Sequence, residues 1–186
     1  MAGHSTQSPF ALTAPDSLWR YACAHYADPV VAAACLDLQE RAGADVCELL
    51  WLGWLDQLEL APRSDVMHAL APVRRHQARQ TYPLRARRRA LKPLARPGSA
   101  LDAWRERLKR DELAAERIAL ELLQALTRQG VGVRPLSAAD GDLASRLARH
   151  LGPSVDTADN ALMRLANGLK SQPFPALPAA TGPSDV

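Results

Sequence analysis

The chain has 186 residues, 47% of them hydrophobic, with 23 Lys+Arg against 20 Asp+Glu and a formal net charge of +3. That length and apolar content suffice for one domain with a sizeable core and exclude wholesale disorder. No apolar run approaches about 18 residues, so no membrane span is expected, and no basic-plus-apolar leader marks a signal peptide.

Charge is unevenly spread. Residues 1–62 carry a balance of −6, residues 63–110 one of +11, and residues 111–186 one of −2. A basic middle between acidic flanks faces either an anionic partner or the chain's own carboxylates. Cys23, Cys35 and Cys47 form no Cys-x-x-Cys pair and sit in apolar helical contexts. Buried, reduced thiols in a cytoplasmic protein are therefore expected.

Residues 1–15 are small, polar and proline-containing and are read as a disordered arm. A first helix follows, capped by Asp16 or Ser17 and running to about Ala27, with Leu18, Trp19, Ala22, Cys23 and Tyr26 at helical spacing as its inward face. Pro29 opens an alanine-rich second helix to Arg41, which Gly43 stops. Residues 45–60 come next: Asp45 with Glu48 gives a capping-box start, and the apolar residues beyond point in almost every direction around a helix. Such a helix is buried rather than amphipathic, and 45–60 is the expected central helix.

Pro62 is expected to end it. Two short helical pieces, about 64–71 and 73–81, are expected on either side of Pro72, and Pro83 should start another from Leu84 to Lys92. The longest helix is placed at 100–128, with an inward stripe of Leu101, Trp104, Leu108, Ala115, Ala119, Leu122 and Leu126. After Gly130 and Gly132, two amphipathic helices are expected. One carries Leu143, Leu147 and Leu151, and the other, about 157–170, carries Ala161, Leu162, Leu165 and Leu169. The tail 171–186 holds four prolines and is read as disordered. No period-2 strand stands out. The fold class is thus all-α, a compact multi-helix bundle of about seven or eight helices around the buried 45–60 helix, in a single domain over 16–170.

Few chemical constellations emerge. His4, His25, His68, His76 and His150 are scattered, with no His-x-x-x-His or Glu-x-x-His pair, so no metal site and no cofactor are expected. No Gly-x-Ser-x-Gly elbow or glycine-rich phosphate loop is present, and no catalytic residues are assigned. Asp37, Glu40, Glu48 and Glu59 are better suited to capping or ion pairing than to acid–base work. Trp19, Trp51, Trp54 and Trp104 fall on core stripes, though a ligand pocket or enzyme site near Trp19, Trp51 and Trp54 is an alternative. The sharpest surface feature is basic: Arg74, Arg75, Arg79, then Arg85, Arg88, Arg89 and Lys92, the last four sharing one helical face. With Tyr82 the sole aromatic nearby, stacking on bases is poorly served, so an acidic protein partner is preferred to nucleic acid.

Two stretches resemble a known family. Leu18-Trp19-Arg20-Tyr21-Ala22 through Asp28-Pro29 and Gly43-Ala44-Asp45-Val46 to Leu49-Leu50-Trp51 is one, and Pro83-Leu84-Arg85-Ala86-Arg87-Arg88-Arg89-Ala90-Leu91-Lys92 followed by Glu112-Leu113-Ala114-Ala115-Glu116-Arg117 is the other. In that order they are similar to the DUF2390 group of uncharacterised bacterial proteins, over about residues 17–126. The resemblance implies a helical protein and assigns no activity, cofactor or catalytic residue. The functional expectation is a non-enzymatic helical protein that binds another macromolecule through its basic 74–92 surface.

Overall fold

The computed structural model of the chain describes residues 16–171. The arm expected over 1–15 and the tail expected beyond Ser171 lie outside the described residues. In chain order the elements are α1 (Ser17–Tyr26), α2 (Pro29–Ala42), α3 (Val46–Gln57), β1 (Leu60–Pro62), α4 (Val66–Ala69), α5 (Ala71–His76), a π-helical turn (Gln77–Thr81), α6 (Tyr82–Leu91), α7 (Ala100–Arg128), β2 (Val133–Pro135), α8 (Leu143–Leu151) and α9 (Asn160–Ser171). The fold is all-α, with the helices of one part gathered around α3. The only strands among the described residues are β1 and β2, which pair with each other. At three residues each, with a proline in both, they are too short for any alternating pattern to announce them. The described chain forms two compact units, residues 16–61 with 135–171, and residues 62–134.

In the first unit, α3 is buried on every side, because Leu49, Leu50, Trp51, Leu52, Trp54 and Leu55 leave no polar face. Each such large side chain contributes about 1.5–3 kcal/mol by leaving water. The carboxylate of Asp45 accepts the backbone N–H of Cys47 at 2.8 Å and of Glu48 at 3.2 Å, which fixes where the helix begins. Helices α1, α2, α8 and α9 pack around it. Close approach depends on two glycines. A Cβ on Gly53 of α3 would lie 2.6 Å from both Leu169 Cδ1 and Tyr21 Oη, and one on Gly168 of α9 would lie 2.5 Å from Val31 of α2.

The inward face of α1 is only in part the one its spacing suggests, since Leu18 and Ala22 are buried as expected but the face is rotated toward Tyr21 and His25. Ser17, Leu18, Tyr21, Ala22 and His25 are buried, whereas Cys23 and Tyr26 are exposed and Trp19 is half-buried. The helix turns a polar row, Ser17–Tyr21–His25, toward the core, and the Tyr21 and His25 rings meet at 4.2 Å between centroids. Cys23 therefore departs from the expectation of three buried thiols, while Cys35 and Cys47 meet it.

In the second unit α4 and α5 are separate pieces, parted at Leu70 as expected just before Pro72. From Ala71 to Leu91, however, α5, the π turn and α6 run continuously, with no new start at Pro83. Pro72 sits in the first turn of α5, where its missing N–H costs nothing, so the break falls just before it, at Leu70. Pro83 is different, since its ring crowds the carbonyl one turn earlier. The helix widens into the π turn over Gln77–Thr81 just before it. Val73, Gln77 and Thr81 form the buried edge of this long helix. Helix α7 starts where Ser99 Oγ accepts the Asp102 N–H, and it packs against α5, the π turn and α6.

The buried line of α7 is Leu108, Glu112, Ala115, Ala119 and Leu123. The expected stripe is right in its middle and wrong at its start, because Leu101 and Trp104 are 38% and 53% exposed. A helical stripe becomes core only where another element lies over it. Helix α6 stops at Leu91, leaving the first turns of α7 uncovered.

Candidate interaction surface

The basic residues singled out from the sequence all lie in the second unit, and the fold sorts them into two groups. Arg85 and Arg88 turn inward toward α7. Arg85 Nε donates to Glu112 Oε1 at 2.8 Å and its second nitrogen to Glu116, while Arg88 donates to both oxygens of Glu112, one of these bonds being 3.2 Å. Glu112 is 5% exposed, so this is a largely desolvated cluster of one carboxylate under two guanidiniums, with Glu116 at its edge. Burial alone would push the Glu112 carboxyl up, but the bonds from Arg88 and Arg85 outweigh it and hold that group below its ordinary range. For Arg85, burial disfavours the charge, yet Glu112 and Glu116 together hold its pKa above the usual value. The bonds to Glu112 do the same for Arg88. Arg85 also stands 5.9 Å from the Tyr82 ring centroid, within cation–π range.

Arg75, Arg79, Arg89 and Lys92 are exposed, and Arg74 is half-buried. The face that the sequence spacing assembles from Arg85, Arg88, Arg89 and Lys92 is therefore divided. Its first two members clamp α6 to α7, and its last two reach solvent. Arg87, which that face omits, is exposed as well. The division follows from where α7 lies, since it meets the edge of α6 that carries Arg85 and Arg88. The outward set is Arg75, Arg79, Arg87, Arg89 and Lys92.

In the first unit Glu48 and Asp37 enter ion pairs of the kind expected of them, with partners that the sequence does not name. Glu48 Oε2 and His150 Nε2 are 2.7 Å apart, and Arg146 pairs with Asp56, so two polar links tie α3 to α8 at opposite ends. Arg41 bridges Asp37 of its own helix and Asp159, the residue that also accepts the Ala161 and Leu162 N–H groups at the start of α9. Trp51 and Trp54 are packed into this unit's core at 0% and 2% exposure. Among the described residues no three His, Cys, Asp or Glu side chains gather as a metal site would need, and no helix is long and apolar enough to cross a membrane.

Comparison with known proteins is brief. No curated protein and no solved structure matches the chain. One family model does, the Protein of unknown function (DUF2390), over residues 17–123. The match takes in α1 to α3, the whole α5–α6 helix and most of α7, which is more than half of the chain. By that extent the chain belongs to the DUF2390 family.

Proposed function

We propose that this protein is a non-enzymatic binding protein whose second unit docks an acidic macromolecular partner, a protein in preference to a nucleic acid, through the outward arginines of the α5–α6 helix. One observation carries the reading. Arg85 and Arg88 pair with carboxylates of the same unit, while Arg75, Arg79, Arg87, Arg89 and Lys92 are exposed. Residues 62–134 hold 17 Lys+Arg against 7 Asp+Glu, a balance of +10. Concentrated charge of one sign raises the encounter rate with an oppositely charged partner and sets salt-sensitive binding. The free thiols of Cys23, Cys35 and Cys47 fit a reducing compartment, and the cytoplasm is the proposed location.

The test is capture from native lysate at low and high salt, using the full chain and two variants of equal charge change. Arg75→Glu/Arg79→Glu/Arg87→Glu alters the proposed face, and Arg20→Glu/Arg164→Glu/Lys170→Glu alters exposed positions elsewhere. The reading predicts a salt-sensitive protein partner that only the first variant loses. Equal loss in both variants, or capture indifferent to salt, would refute it.

A further inference from the structure

In the first unit, α9 ends beside an exposed apolar ridge. It runs antiparallel to α2. Arg41, in the last turn of α2, pairs with Asp159 just before α9, while a Cβ on Gly168, in the last turn of α9, would lie 2.5 Å from Val31, in the first turn of α2. Ser171, where α9 ends, is therefore carried to the corner at which α1 passes into α2. At that corner Tyr26 is 38% exposed and Val30 50%. Exposed Ala33 and Leu36 continue from Val30 at intervals of three, along one ridge of α2, and residues 29–36 carry no charge.

The next residues of the chain, Gln172 to Pro178, suit this ridge. They hold no charged side chain, and their large apolar side chains are Phe174 and Leu177. Pro173, Pro175 and Pro178 favour polyproline II over helix or strand. With three residues per turn and about 3.1 Å of rise per residue, that conformation sets Phe174 and Leu177 on one edge, about 9 Å apart. Val30 and Leu36 are separated by about 9 Å along the α2 axis, a comparable span. The direction agrees too, since a segment that starts at Ser171 meets the Val30 end of the ridge before the Leu36 end. Phe174 is three residues beyond Ser171, a reach of about 10 Å. So short a tether gives an effective concentration on the order of mM, which a second copy or a foreign peptide has to exceed. Residues 1–15 also hold an apolar pair, Phe10 and Leu12, but they join α1 at Ser17, the end away from Tyr26.

We infer that the α1–α2 ridge is a docking site for proline-rich sequence filled by the chain's own residues 173–178, an intramolecular strap with Phe174 between Tyr26 and Val30 and Leu177 between Ala33 and Leu36. The inference is independent of the basic-face reading, which concerns the other unit.

The experiment is nuclear Overhauser spectroscopy on the isotope-labelled full chain, read at the methyl groups of Val30, Ala33 and Leu36. Cross-peaks from the Phe174 ring to Val30 and from the Leu177 methyls to Ala33 or Leu36 are expected. Phe174→Ala/Leu177→Ala should abolish them and shift the Val30 and Leu36 methyl resonances, at an unchanged melting midpoint. From the other side, Val30→Gln/Leu36→Gln should move the Phe174 and Leu177 resonances to those of a free synthetic peptide of residues 172–180. Absent cross-peaks, with Val30 and Leu36 unmoved by Phe174→Ala/Leu177→Ala, would overturn the inference. Methyl shifts that answer instead to Phe10→Ala/Leu12→Ala would overturn the occupant in favour of residues 1–15. Cross-peaks that fade on dilution of the protein would overturn it in favour of a second copy.

Discussion

Glu112 is the residue on which the second unit's α6–α7 pairing turns, since two arginines of α6 converge on its nearly buried carboxylate. Glu112→Gln keeps the shape and removes the charge, leaving Arg85 and Arg88 desolvated against a weak acceptor. The expected cost is about 2 kcal/mol of stability, read by chemical denaturation, with Arg88→Gln close behind. Exposed Arg75→Gln should change stability by no more than about 0.5 kcal/mol. The sequence displayed the density of arginine but not its partners. Glu112 stands 24 residues beyond Arg88, on a helix whose stripe was read from apolar positions alone. A charge at a stripe position between Leu108 and Ala115 is the signal that pointed to a buried acid. Glu48 and Asp56, which interrupt the apolar α3 and meet His150 and Arg146, carried the same signal.

At the scale of elements, apolar content and helix punctuation were the legible part. Asp45 and Gly43 mark the start of α3 and the end of α2 where the sequence puts them, and α7 spans the expected 100–128. What a helix faces was less legible. Beside the expected Leu18 and Ala22, α1 buries Ser17, Tyr21 and His25, polar residues that periodicity assigns to solvent, and the π turn before α6 has no cue beyond Pro83. Two substitutions test the packing. Gly53→Ala places a methyl where Tyr21 Oη and Leu169 already stand and should destabilise the first unit by about 1–3 kcal/mol, seen as a lower melting midpoint. Trp104→Ala, on the uncovered start of α7, should leave stability within about 0.5 kcal/mol, which would be impossible were Trp104 part of a core.

Across the whole molecule, the two units differ in what acid does to them. His25 is buried, which pushes its pKa below 6.5 against the opposing pull of the Gly168 backbone and Asp28. Its folded form is neutral, so its contribution is complete above pH 6.5 and falls as the pH drops below that value, where the unfolded chain takes up the proton first. Glu112 is held below 4.5, so its contribution is complete above pH 4.5 and falls only as the pH drops further. In an acid titration followed by hydrogen exchange, α1 should lose protection at a higher pH than α6 and α7. Composition divides the units as well, with +10 over residues 62–134 and −7 over the remainder of the sequence.

The central claim is that arginines of one helix do two jobs, some joining α6 to α7 and others meeting a partner. Salt-dependent lysate capture by Arg75→Glu/Arg79→Glu/Arg87→Glu, beside the equally charged Arg20→Glu/Arg164→Glu/Lys170→Glu, tests it most directly. The account predicts a partner lost by the first variant alone, at an unchanged melting midpoint. A first variant that unfolds, or that keeps every partner the full chain captures, would contradict it.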